Sequence, residues 1–312
     1  MLIFSDKYDK MTLKGSDGLK KLLIYTLAAI LAFALLLSSC GAPKIVKTLG
    51  AYEVDEDLYE LFDGSDEGVA GFFAPYALAD KYGVDHESEN FKTKCEAEMA
   101  RVISEDYFGD EDAMRDAVKE NDLTDELWDK IIEQSVLYTD VYEALVEKGT
   151  IVSDPEKLKE EFLTGGAVYV KRIMLGASSA GPYDAEPGVG QLEAAYDKIV
   201  SGARSFDEAK RDFIGYTSTD DVGNYENGYI VVRGATEKTY EDVCFSLAVN
   251  DVSKPFETSK GYCIVMRFAL TEDMVDEALD YLVASSMEGQ YNVMLDDAAA
   301  ELLNSRGSLS DQ

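Results

Sequence analysis

The hydrophobic periodicity of this chain changes twice, and that change limits the folds it can adopt. From Asp55 the apolar residues recur at helical spacing: Leu58, Leu61 and Phe62, then Phe72 to Tyr82, Phe91 to Tyr107 and Glu111 to Lys119. Thr124 followed by Asp125 and Glu126 reads as an N-cap with an acidic first turn. It opens a helix carrying Leu127, Ile131, Val136, Leu137, Val141 and Leu145 and stopped by Gly149. Val152-Ser153-Asp154-Pro155 opens another short helix. At Gly165-Gly166 the grammar becomes that of a strand, with the β-branched run Val168 to Leu175. A Gly- and Pro-rich loop over 176–190 follows. Next come a helix with Leu192, Ala195, Tyr196, Ile199 and Val200 on one face, and a capping box at Ser205-Phe206-Asp207-Glu208. Tyr229 to Val232 reads as a strand, Thr239 to Phe245 as a short capped helix, and Tyr262 to Phe268 as a last strand. Residues 272–303 return to helix, with Val275, Leu279, Leu282, Tyr291, Leu295, Ala298 and Leu302 as an apolar stripe that needs a partner surface.

The pattern predicts an α+β protein. An all-helical domain over 51–165 is completed by a C-terminal helix within 271–312 that packs on it. A β-α-α-β-α-β domain over 166–270 is inserted between them. The length of 312 residues suits about two domains. Residues 41–50 read as a tether.

The first forty residues read as an address. Lys14, Lys20 and Lys21 precede an uncharged run from Leu22 to Leu37, shorter than the roughly 20 residues of a spanning helix. The run ends in Leu37-Ser38-Ser39-Cys40, which resembles the lipobox of bacterial lipoproteins. That resemblance implies cleavage before Cys40, a diacylglyceryl thioether on its sulfur, and an extracytoplasmic body anchored to the outer face of the cytoplasmic membrane; the alternative is an uncleaved anchor. Two acyl chains hold firmly where one would not. Met11 serves as a start as well as Met1 does.

Charge and composition exclude several functions. Lys and Arg total 29 against 61 Asp and Glu, a net charge of −32, so the surface repels nucleic acid. His86 is the only histidine and sits in a polar turn, which removes every two-histidine mechanism and zinc site. The cysteines at 40, 95, 244 and 263 show no CxxC spacing. Outside the cell a Cys244–Cys263 disulfide and two buried thiols are both open readings. Asp63-Gly64-Ser65-Asp66-Glu67-Gly68 mimics the start of a calcium loop, but its twelfth position is Ala74, so it reads as an acidic helix-end turn. No metal and no cofactor is expected.

Several strings then line up in order: Lys171 to Leu175, Ser205 to Ala209, Tyr240-Glu241-Asp242-Val243-Cys244-Phe245-Ser246-Leu247, Val252-Ser253-Lys254-Pro255, and Gly261 to Val265. Together they resemble the parvulin class of peptidyl-prolyl isomerases. The helical flanks, joined at Val152-Ser153-Asp154, resemble the chaperone part of PrsA-like and SurA-like foldases. The resemblance implies a foldase whose partners are unfolded, newly secreted polypeptides with X-Pro bonds. It places the two catalytic histidine positions at Arg172 and Cys263 and keeps a hydroxyl at Thr258. It puts substrate contacts at Thr236, Tyr240 and Phe245, and an acidic position at Asp220 or Asp221. The scaffold thus matches while the catalytic constellation is degenerate, which leaves an active isomerase as the alternative. A surface solute-binding or structural lipoprotein is a further alternative, but the usual two lobes of repeated strand-helix units are not found.

Overall fold

The computed structural model describes residues 44–104, 107–121, 123–176, 189–213 and 228–305. The address segment with Cys40, most of the 176–190 loop, and Asp220 and Asp221 lie outside the described residues. The fold is α+β. The chain divides into two compact units: Met1–Ile151 with Val293–Gln312, and Val152–Asn292 inserted between those pieces.

The first unit opens with an antiparallel hairpin, β1 (Ile45–Leu49) and β2 (Tyr52–Asp55), in which Leu49 pairs with Tyr52 across Gly50 at φ 60°. The expected tether over 41–50 is therefore half strand, and the unit is not wholly helical. β-branched Ile45, Val46, Thr48 and Val54 flanking a tight glycine turn are the cause. Asp55 ends β2 and caps α1 (Glu56–Leu61), accepting from the Leu58 amide at 2.8 Å. Though buried, its carboxylate is paired with Lys130.

Four longer helices follow. α2 (Asp66–Tyr82) is capped by Ser65, α3 (Glu89–Ile103) by Ser88, α4 (Glu111–Glu120) by Asp110, and α5 (Asp125–Glu147) by Thr124, which accepts from Leu127 N at 3.1 Å. The acidic turn before α2 is a helix cap, and its Asp66 pairs with Lys47. Leu49, Val54, Leu58, Val69, Val118 and Leu127 form the unit's core, which Leu302 joins from the end of the chain. α2 and α3 both pack on α5.

The second unit begins earlier and ends later than the sequence predicts. α6 (Pro155–Glu161), capped by Asp154, and the wide turn after it bring Leu158 and Phe162 into a cluster with Ala167, Val232, Val275 and Leu282. Val275 lies in α10 (Glu272–Glu277) and Leu282 in α11 (Leu279–Asn304). The stripe over 272–303 therefore does not pack wholly on the N-terminal helices, because its first half completes the second unit. At 1.5 Å per residue, the 26 residues of α11 span about 39 Å, too long for one small core. Two contacts fix that first half. Gln290 brackets Val152, accepting from its amide at 2.8 Å and donating to its carbonyl at 3.1 Å. Gly289 touches the backbone of Arg233, Gly234 and Ala235 so closely that a Cβ there would lie 2.3 Å from the Arg233 oxygen.

The unit's sheet is antiparallel throughout. It consists of β3 (Ala167–Gly176), β4 (Tyr229–Val232), β5 (Phe256–Thr258) and β6 (Gly261–Phe268), in the order β4-β3-β6-β5. β5, three residues long, was not expected. α7 (Val189–Val200) and α8 (Phe206–Arg211) cover one face, where Leu192, Phe206 and Ala209 meet Ile173, Leu175 and Ile264. Ser205 and Glu208 make the capping box that the sequence predicts. α9 (Lys238–Ser246) covers the other face. It has no side-chain cap, contrary to expectation, because it begins at Lys238, which leaves Glu237 and not a short hydroxyl or carboxylate side chain at the N-cap. Among the described residues no helix is long and apolar enough to cross a membrane.

Candidate functional site

The face of the sheet beneath α9 carries the candidate residues. Side chains alternate along a strand, so Val168, Val170, Arg172 and Met174 of β3 share this face. Arg172 pairs with Val265 and Met174 with Cys263, which makes Arg172 and Cys263 diagonal neighbours on adjacent strands. Tyr240 and Cys244 press down on them from α9, one helical turn apart, and Phe256 adds a ring from β5.

Arg172 is only partly buried. Its guanidinium lies 4.3 Å from the centre of the Tyr229 ring and 5.6 Å from that of Tyr240. Both distances allow a cation–π attraction, which holds the charge against aromatic faces. The Tyr240 and Phe256 rings are 6.2 Å apart and tilted. The Tyr240 hydroxyl is buried. Burial pushes its proton affinity well above the usual phenol range, the thiols of Cys244 and Cys263 add to this, and Arg172 opposes it. Burial likewise pushes the Cys244 thiol up to about 12, with Tyr240 and Arg172 opposing. Cys244 therefore stays a neutral thiol at physiological pH and supplies no thiolate nucleophile. Cys263 is also a free thiol, with no exposed surface, and its sulfur lies 3.6 Å from the carbonyl oxygen of Ile264. Of the two readings of Cys244 and Cys263, the structure has the buried thiols.

The remaining sequence-predicted residues sit at the rim. Thr258 donates to Gly261 O at 2.8 Å and accepts from Lys260 N at 3.2 Å, so its hydroxyl is spent on the turn joining β5 to β6. Glu237 clamps the same turn, accepting from the amide and the hydroxyl of Ser259 at 3.0 and 2.7 Å. Thr236 is exposed on the turn before α9 and does not join the cluster with Arg172 and Tyr240. Phe245 packs against that cluster, while the Arg233 guanidinium lies 3.8 Å from its ring centre. Glu241 is buried, accepts from Gly234 N and pairs with Arg233 at 3.5 Å. Sequence reasoning missed Tyr229, Cys244 and Phe256 as members of this face. For Tyr229 and Phe256 the available signal was strand alternation, once register with β3 and β6 was known.

The face presents one guanidinium, which has no acceptor, and rings over neutral thiols.

Residues 174–269 match the family model described as rotamase, the PPIC-type PPIase domain. Over these residues the chain is similar to the parvulin-type isomerases. The match begins two residues after Arg172, so the assignment of Arg172 rests on its place in β3 and on the string Lys171 to Leu175. No curated protein matches the chain. Among solved structures, the chain is similar to the peptidylprolyl isomerase PrsA of Bacillus anthracis, at 16% identity over 76% of this chain and 95% of that one, with a TM-score of 0.38. The foldase protein PrsA of Streptococcus pneumoniae gives 17% identity over 89% and 96%, with a TM-score of 0.35. A SurA-like chaperone of Campylobacter jejuni gives 16% identity over 86% and 100%, with a TM-score of 0.24.

Proposed function

We propose that this protein is an extracytoplasmic foldase, tethered to the membrane through a lipid on Cys40. Its helical unit holds unfolded secreted chains, and its parvulin-type domain binds proline-containing segments with little turnover. The observation that carries the reading is the match of residues 174–269 to the PPIC-type domain. Inside that match, Cys263 occupies a place where the resemblance calls for a histidine, and it is wholly buried.

Rotating a prolyl amide requires no covalent step. The barrier is about 18–20 kcal/mol, and a catalyst lowers it by favouring the twisted, deconjugated amide over the planar one. That needs an apolar seat for the proline ring and groups oriented at the amide. Phe256, Tyr240 and Tyr229 supply apolar and aromatic surface. Arg172 supplies a permanent cation drawn onto Tyr229 in place of a neutral imidazole. Binding through rings and backbone survives such changes, whereas rate enhancement does not.

The test measures kcat/KM for an X-Pro peptide by NMR exchange beside the ability to slow aggregation of an unfolded client. A slowed aggregation with kcat/KM at least about a hundredfold below an intact parvulin is expected, since loss of oriented groups costs that order. A value near the reference selects the second reading, an active isomerase, which the extent of the family match favours. For the anchor, mass spectrometry of membrane-extracted protein should find a diacylglyceryl group on Cys40 at the N-terminus, and Cys40→Ala should leave precursor uncleaved.

A further inference from the structure

In the first unit, α3 and α5 leave a groove between them of about 410 Å³, within the range of sites that bury a small ligand. Met99, Ala100, Ile103 and Ile132 line its apolar part, and Glu96, Asp129 and Glu133 stand around it. All three carboxylates are exposed, and none of them makes an ion pair among the described residues. The neighbouring cations are committed elsewhere: Lys94 to Asp140 at 2.7 Å, Arg101 to Glu98 at 2.6 Å, Lys130 to Asp55, and Arg115 to Glu111 at 2.8 Å. The groove thus joins apolar surface to a net negative rim, in which Arg115 offsets Asp129 only in part, on a chain of net charge −32. Within the groove the half-buried Cys95 thiol is pushed up to about 11, chiefly by burial, and Glu133 pushes the same way.

We propose that this groove docks client segments in which bulky apolar side chains are flanked by lysine or arginine. Apolar side chains would fill the space over Met99, Ile103 and Ile132, and the flanking cations would meet Glu96, Asp129 and Glu133. Charge complementarity selects this occupant: an acidic or neutral apolar segment gains the burial without the pairing, and like charges across an interface are penalised. The inference rests on the chaperone reading above and adds the class of segment held.

The test titrates the full chain with a labelled peptide whose apolar centre is flanked by lysines, and with glutamine- and glutamate-flanked counterparts, by fluorescence anisotropy. The lysine peptide should bind about tenfold tighter than the glutamine peptide at low salt, the ratio shrinking as salt screens the carboxylates. Combined Glu96→Gln, Asp129→Asn and Glu133→Gln should erase that ratio without moving the melting temperature, since all three side chains are exposed and unpaired. Ala100→Arg, which places a cation and a long side chain in the groove, should weaken the lysine peptide about tenfold. Equal binding of the lysine and glutamine peptides overturns the proposal, as does an unchanged ratio in the triple variant or no binding of any peptide. Self-association of the chain that Ala100→Arg abolishes also overturns it, by making a second copy the occupant. The chaperone reading fails separately, if the wild-type chain slows aggregation of no unfolded client; slowed aggregation that is equal in wild type and triple variant sinks only the groove.

Discussion

Cys244 and Tyr240 lie on α9 and are buried against the sheet. Each has its proton affinity raised by burial. A group whose folded pKa lies above its unfolded value stabilises the fold fully below the unfolded pKa and ceases to as pH rises through the folded one. For Cys244 the window runs from about 9 to about 12. Stability should therefore fall across it as the thiol ionises, by on the order of 1 kcal/mol per pH unit. Cys244→Ala should flatten that part of the slope in calorimetric unfolding at stepped pH; an unchanged slope would place the thiol in contact with water. A second consequence concerns repair of the site. Because Cys263 has no exposed surface, Cys263→His must force a ring into filled space, at a cost of about 1–3 kcal/mol. Arg172→His with Cys263→His should accordingly lower the melting temperature and leave isomerase activity below that of an intact parvulin.

At the scale of elements, local chemistry was legible and tertiary sharing was not. The caps at Thr124, Asp154 and Ser205, the stop at Gly149, and the strand beginning beyond Gly165-Gly166 all follow from residues within one turn of each other. The hairpin β1–β2 escaped because two strands of five and four residues give too short a period to stand out beside a leader segment. α9 lacks its expected cap because it begins at Lys238, with Glu237, a poor capping residue, at the N-cap. The place of Arg172 and Cys263 on one face could be read from their strands, whereas the exposure of Thr236 and the burial of Cys263 depend on how α9 lies on the sheet. Two glycines in helices make the distinction measurable. Gly71 in α2 has open space where a Cβ would stand, so Gly71→Ala should stabilise by about 0.5–1 kcal/mol through helix propensity alone. Gly289→Ala gains the same propensity but drives a methyl group into the Arg233 carbonyl, and should cost about 3 kcal/mol or more. Thermal unfolding of the two variants should move in opposite directions.

For the whole molecule, the decisive feature is that α11 serves two cores. Its early residues, Leu282 and Gly289 among them, complete the inserted unit, and Leu302 near its end completes the first unit. An apolar stripe records that a helix is buried but not against what, so one continuous stripe concealed two partners. The family match over 174–269 likewise stops short of the residues that close the unit's core. The minimal folding piece is therefore expected to be 152–292 rather than 166–270. The shorter piece lacks Leu158, Phe162, Val275 and Leu282, which leaves Ala167 and Val232 without their cover. At about 25 cal/mol per Å² of apolar surface, losing four such side chains removes several kcal/mol, comparable to the whole stability of a small domain. Expressed alone, residues 152–292 should unfold in one cooperative transition with protected amides in β3 and β6. Residues 166–270 should bind a hydrophobic dye and lack that transition. If the shorter piece melts as sharply and as high as the longer one, the inserted unit owes nothing to α6, α10 and α11, and the sharing of α11 between two cores is a matter of contact without consequence for folding.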